Sequence, residues 1–482
     1  MAEQATDRYS AETISRLYMD VDSREYDLKK ACSMFQELSV NGNSDANYLY
    51  SLFLFTGTVV NEDRAKAIEL MSVSAASGNK DAIRTLNEIK NSEKDTDSLI
   101  RLKFKGIQCD TKACAELFDI YDNGMKYVKK DHAEAVRWYT VNADKGEAKA
   151  QNIIGFMYLM GKGIPKDCEK AKFWLMSSAE LGNADAMFHL ADAYYQGING
   201  FKPDLKNALK WYEASAAAGH SEAQHDLAVI CTTMRRPDFK KAATLFAKAA
   251  DQGEKDSIYQ LGILYAYGQG VPRDLHKATI LLTQACELGH SQAMLDYANL
   301  KFEGEVLEQD LADAAKWFQK ATDLHNATAE YCLACMYGNG SYFEKDDEKA
   351  AELFRDAAEA GEPNSQYAFA CFCHEGRAIP KDEKQAAMWF NAAAEQGHPA
   401  AKAFYGMMTI AGSGIESDVK AGLDMIKEVA KAGFPDGQYY LGKLYFEGVH
   451  LKKNISLAKK YLKLAAKQGD PDATLLLEQL RS

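Results

Sequence analysis

Residues Glu254 to Gly289 read EKDSIYQLGILYAYGQGVPRDLHKATILLTQACELG, and most of the chain is a variation on this stretch. Ser257, Leu261 and Leu264 recur at helical spacing, and Gly262 beside them leaves room for another helix to approach closely. Gly268 and Gly270 end that helix; Val271 and Pro272 then lead to Asp274, whose carboxylate suits the N-cap of a second helix. Ala278, Leu281, Leu282 and Ala285 continue at helical spacing up to Gly289. The stretch predicts a helical hairpin.

Outward from this stretch, the glycine that ends the second helix recurs as Gly42, Gly78, Gly146, Gly182, Gly219, Gly253, Gly361, Gly397, Gly433 and Gly469, with His325 once in its place. From Gly253 onward every step is 36 residues. A fixed period of that size marks a solenoid, in which each hairpin buries its apolar face against its neighbours. The expected fold is therefore all-α: an α-solenoid of about twelve to thirteen antiparallel hairpins wound as a right-handed superhelix. Proline is scarce, at 9 residues, which agrees with helix nearly throughout.

The turn chemistry repeats with the spacing. Asp27, Asp63, Asp131, Asp167, Asp204, Asp238, Asp274, Asp310, Asp346, Asp382 and Asp418 each stand four residues before a small residue of the second helix, and Asn454 holds the same place. Such residues serve as N-caps, so these acids are structural and not a set of catalytic carboxylates. Trp138, Trp174, Trp211, Trp317 and Trp389 all follow at one shared repeat position, which predicts one packing role.

Two units depart from the pattern. The one ending at Gly253 carries Arg235, Arg236 and Pro237 where the glycine turn belongs. The gap from Gly78 to Gly146 holds a shortened unit over 79–109, without glycine turn or capping Asp, and with the polar run NSEKDTDS from Asn91 to Ser98. That run predicts a flexible or kinked joint. The expected organisation is a divergent N-terminal piece over 1–109, a regular array over 110–469 and a capping helix over 470–482.

The motif G-x-G-[VI]-P-x-D between helices and A-A-x-x-G after them, as in Gly161 to Asp167 with Gly182 and Gly412 to Asp418 with Gly433, resembles the Sel1-like repeat, a relative of the tetratricopeptide repeat. The resemblance implies an adaptor or scaffold whose curved array binds other proteins, often in assembly, signalling or bacterial host interaction. In the cysteine-rich secreted branch of that family a pair of cysteines recurs in every repeat. The ten cysteines here follow no such pattern, which favours reduced thiols.

A net charge of -12 argues against nucleic acid as the ligand, since phosphate binding needs a concentrated basic surface. The first residues lack a basic stretch followed by an apolar core, and no run approaches about 18 apolar residues, so the expected location is cytoplasmic, with no membrane span. No phosphate-binding glycine loop, G-x-S-x-G or H-E-x-x-H stands in the chain, and no cofactor is expected.

The expected function is a non-enzymatic adaptor for a protein or peptide. Counting from each anchor glycine, core positions of the first helix are +4, +8 and +11; at about 100° per residue, +6, +10 and +13 lie opposite. The candidate partner-binding residues on that concave face are Phe188, Asp192, Tyr195, Tyr259, Ile263, Asn299, Phe302, Tyr331, Tyr367, Met407, Tyr439 and Lys443. The +6 aromatics either line a groove or pack on the next repeat. A bacterial effector or toxin-neutralising immunity protein would use the same surface. A third reading, a metal or redox sensor, rests on Cys332, Cys335, Cys371 and His374, four ligands of the right type for tetrahedral zinc. His220, His290 and His398 directly follow anchor glycines, which places them at helix C-termini.

Overall fold

The computed structural model describes residues 10–91, 96–125 and 128–480. Among them there is no strand, and the one β-bridge pairs Met125 with Val128. Paired antiparallel helices, mostly of 13 residues, follow one another along the chain, an α-solenoid of hairpins as the period predicts. No described helix is long and apolar enough to cross a membrane.

The chain divides into two compact units that meet in sequence at Arg235 and Arg236. In the first, hairpins begin with Ala11–Ile14, which continues as a π-helical turn, and run through Leu205–Ala217 to the single helix Ser221–Thr233. The second opens with the single helix Phe239–Ala250, runs through hairpins from Lys255–Tyr267 to Ile455–Lys467, and ends in the short helix Pro471–Gln479. The last helix lays Ala473, Leu476 and Leu477 against Leu462 and Ala465, covering the final hairpin.

Each hairpin is built by the same local chemistry. Every expected cap from Asp27 to Asn454 accepts the backbone N–H three residues on, at 2.8–3.1 Å. Its own N–H mostly donates back to the first helix, as Asp274 does to the Tyr265 carbonyl at 3.0 Å, so one residue starts the second helix and closes the turn. The alanine four residues later is fully buried in almost every repeat, as at Ala278 and Ala386. Gly262 meets Leu282 of its own second helix: a Cβ there would stand 2.9 Å from Leu282 Cγ.

The glycines serve two different needs. Gly289 takes φ +80° with open space around it, so the left-handed backbone alone requires it. Cys109 and His325 adopt the same conformation, at φ 57° and 60°, where the glycine is replaced. Gly270 also has positive φ, but a Cβ there would lie 2.2 Å from the Phe239 carbonyl, so the turn leans directly on the preceding second helix.

The shortened unit holds two helices, Lys80–Asn91 and Thr96–Ile107, which pack on their outer neighbours more than on each other. Residues 92–95 of the expected joint lie outside the described residues. Its interior is ionic where other repeats are packed with alanine. Lys103, 2% exposed, donates to Glu88 Oε2 at 2.5 Å and to Thr85 Oγ1 at 3.1 Å; Tyr121 donates to Glu88 Oε1 at 2.8 Å. Burial lowers the pKa of the Lys103 ammonium, against the pull of Glu88. Arg84 reaches Asp131 at 3.1 Å and pairs with Glu134, and Arg137 pairs with Asp81. These bonds join the two short-unit helices to each other and to the two helices after them, with every buried charge paired.

Candidate protein-binding surface

The setting of the first-helix residues follows from the residue that opens each helix. In three repeats it is a histidine: Nδ1 of His220, His290 and His398 accepts the N–H of Ala223, Ala293 and Ala401 at 3.2, 2.9 and 3.1 Å. This corrects the expectation that these histidines serve helix C-termini. The left-handed glycine has already turned the chain, so the next residue falls at the N-cap of the following helix. An accepting Nδ1 carries no proton, so each cap uses a neutral imidazole with its proton on Nε2. In two cases Nε2 faces a carboxylate, Asp185 at 3.4 Å from His220 and Asp256 at 3.1 Å from His290.

The +6 aromatic of the preceding repeat lies on that ring. Phe188 stacks on His220 with centroids 4.6 Å apart, Tyr367 stacks on His398 at 4.7 Å, and Tyr259 lies tilted over His290 at 4.8 Å. Tyr331 packs on Phe354 and Tyr439 on Tyr440. All five aromatics are half-buried, each with part of its surface on the next repeat or on a neighbour and part in solvent.

A second rule of register emerges from these contacts: +6 of one repeat meets +7 of the next. Tyr259 donates to Asp296 Oδ2 at 2.5 Å, and Tyr367 lies edge-on to Phe404 at 6.2 Å. The partner-binding set read from the sequence left out +7, and with it Asp296, Phe404 and Tyr440. The available signal was that +7 stands three residues from +10 on a helix and shares its face.

Of the remaining candidates, Asp192 accepts from Gln196 and from Tyr212, and Tyr195, 49% exposed, lies edge-on to Tyr212; with Phe188 these belong to the first unit. In the second unit Ile263, Asn299, Met407 and Lys443 are half-buried, and Phe302 packs edge-on to Phe318. The structure joins some of these into a continuous feature. Tyr367, Phe404, Tyr440 and Tyr439 form a chain of rings with successive centroids 6.2, 5.4 and 5.0 Å apart, carried by the helices Pro363–Glu375, Pro399–Ala411 and Pro435–Glu447.

The four residues of the metal reading do not converge. Cys332, at +7, faces back to Asn299 Oδ1 at 3.8 Å, while His374, at +13, reaches Glu383 Oε2 of its own second helix at 2.8 Å. Cys335 and Cys371 each stand one turn after a tyrosine of their own helix, Tyr331 and Tyr367, whose hydroxyl works against the effect of burial on the thiol. Among the described residues no group of three or more His, Cys, Asp and Glu is placed to hold a metal ion. Burial pushes the thiols of Cys332 and Cys371 up to about 12, and that of Cys335 up as well. Their thiolates are scarce near neutral pH.

The tryptophans pack as their shared position implies. Trp138 and Trp317 are buried, Trp174, Trp211 and Trp389 half-buried, and Trp317 and Trp389 meet Tyr297 and Phe369 of their first helices edge-on.

Comparison with known proteins agrees with this architecture. The family model described as Sel1 repeat matches residues 44–79, 111–146, 148–183, 184–220, 221–254, 255–290, 291–326, 327–362, 363–398 and 435–470. The unmatched stretch 399–434 nonetheless holds the hairpin Pro399–Ala411 and Val419–Ala432, with Gly422 in place of the usual alanine. The sel1-like repeat-containing protein L21 of Acanthamoeba polyphaga mimivirus is 31% identical over 153 residues, 32% of this chain and 27% of that protein. DAP3-binding cell death enhancer 1 of Rattus norvegicus is 30% identical over 146 residues, 30% of this chain and 29% of that protein. The matched regions thus span less than a third of either relative's length. The crystal structure of c5321, a protective antigen of uropathogenic Escherichia coli strains with an SLR fold, superposes with a TM-score of 0.64 at 23% identity, covering 92% of this chain and 88% of that one. Sel1 repeat proteins generally mediate protein–protein interaction.

Proposed function

The chain belongs to the Sel1 repeat family, and from that premise we propose that it is a non-enzymatic adaptor that binds a protein or peptide along the first-helix face of its second unit. The observation that carries the reading is the chain of half-buried rings from Tyr367 through Phe404 and Tyr440 to Tyr439. Each ring is held by its neighbours before any partner arrives. A pre-ordered aromatic loses little side-chain entropy on binding, which is why such residues act as interface anchors. Beside them Ile263, Asn299, Met407 and Lys443 differ in chemistry from repeat to repeat at one shared position, which suits a surface matched to one partner. The rat relative is named for binding another protein, which supports a protein as the class of ligand.

The test is site-specific photo-crosslinking in the source cell, with the probe at Met407 or Lys443 on the first helices and at Met388 on a second helix. One protein captured from the first two positions and not from the third is the expected result. Capture from Met388 alone, or from no position, overturns the reading.

A further inference from the structure

A cleft in the first unit, remote in sequence from the surface just described, has its own chemistry. It has a volume of about 670 Å³ and lies between the helix Lys80–Asn91 and residues 128–131, which precede the helix His132–Asp144. That size accommodates a short peptide segment. One wall is a single helical stripe, Lys80, Arg84, Asn87 and Asn91; the other carries Lys129, Lys130 and Asp131.

Charge inside the cleft is divided between paired and unpaired groups. Arg84 is held by Asp131 and Glu134, and Glu88 by Lys103 and Tyr121, so the floor neutralises itself. Lys80, Lys129 and Lys130 are exposed and make no ion pair among the described residues. The lining therefore holds four cations against the two carboxylates Glu88 and Asp131, in a chain of net charge -12. This is a local reversal of sign, and Ile83, 42% exposed, adds an apolar contact to the lining.

We infer that this cleft binds an acidic segment of a partner protein, its carboxylates meeting Lys80, Lys129 and Lys130 and its main chain meeting the free amides of Asn87 and Asn91. A peptide fits better than a nucleic acid, because three free lysines at one cleft cannot follow a phosphate backbone while the rest of the chain repels it. It also fits better than a small anion: the stripe from Lys80 to Asn91 extends about 16 Å, the reach of an extended segment of about five residues. An asparagine amide both donates and accepts, as a peptide backbone requires.

The experiment measures fluorescence anisotropy of the full chain with arrayed eight-residue peptides bearing one to four Glu in an Ala/Leu background, against the same peptides with Gln. The Glu series is expected to bind at least about tenfold more tightly, and to weaken as salt rises from about 50 to 300 mM. Lys129→Glu with Lys130→Glu is expected to remove that preference with the helical circular dichroism unchanged, whereas Lys206→Glu, at an exposed position of the helix Leu205–Ala217 in the same unit, leaves it intact. Equal affinity for the Glu and Gln series overturns the inference, as does full binding by the double variant. Complete displacement by millimolar inorganic phosphate together with an affinity that does not change with the number of Glu also overturns it, leaving a small-anion site. These outcomes are independent of crosslinking at Met407 and Lys443, so either reading can fail alone.

Discussion

The ring of Tyr367 is stacked on His398, with centroids 4.7 Å apart and planes 18° from parallel, while Nδ1 of the same histidine caps the helix Pro399–Ala411 through the Ala401 N–H. One side chain thus starts its own repeat and seals the joint with the repeat before. The arrangement recurs between Phe188 and His220, which makes it a device of the array and not a local accident.

Replacing His398 with Ala removes both cap and stack, and replacing it with Asn restores only the cap. The expected losses are about 2 kcal/mol for Ala and roughly half that for Asn. Hydrogen exchange of the amides of Pro399–Ala411 is the suitable readout, because an array opens locally. Equal protection in the two variants would show that the cap contributes nothing, and wild-type protection in the Asn variant would show that the stack contributes nothing.

Gly289 and Gly270 separate backbone strain from steric exclusion. Gly289→Ala meets only the left-handed backbone cost, about 1 kcal/mol, since nothing lies within 4 Å. Gly270→Ala adds collision with the Phe239 carbonyl and is expected to cost about 2–4 kcal/mol. Urea denaturation of the two variants compares them directly, and similar midpoints contradict the close approach.

His189 gives the first unit a pH dependence. It is stacked on Phe156, with Nδ1 3.0 Å from Asn152 Oδ1, and burial lowers its pKa to about 4, with Asp185 opposing and His220 reinforcing. Folded, the ring stays neutral; unfolded, it protonates below its ordinary pKa of about 6.5. Its contribution is complete above about pH 6.5 and is lost as pH falls toward 4, by up to about 3 kcal/mol. Wild type should lose that much more stability than His189→Gln between pH 7 and 4, read by denaturant midpoints at each pH.

The Lys103–Glu88 pair should be costly to break and cheap to remove. Lys103→Met strands a buried carboxylate and is expected to cost about 3–5 kcal/mol. Adding Glu88→Gln, which can still accept from Tyr121, should recover most of that loss. A double-mutant cycle by chemical denaturation measures the coupling, and additive losses would show that the two groups do not interact.

Cys332 and Cys371, with thiols raised to about 12 by burial, should react with a disulfide reagent at pH 8 at least about tenfold more slowly than a model thiol. Both should label rapidly in denaturant. Fast reaction of the folded chain would revive the redox reading of this cluster.

What the sequence determined by itself is everything that depends on a few adjacent residues. The capping Asp, the left-handed glycine and the buried alanine act within one hairpin, so their 36-residue recurrence specified the helices, their ends and the solenoid class. Even Cys109 and His325, which break the glycine rule, keep its backbone conformation because the turn needs it. Contacts between repeats were decided only by the tertiary structure. That +6 meets +7 of the next helix and that Cys332 turns away from Cys371 both depend on the offset between stacked hairpins, which no local pattern encodes. The ionic interior of the short unit was hidden for the same reason: Glu88, Lys103, Tyr121 and Arg137 come from four different helices and meet only when those helices pack.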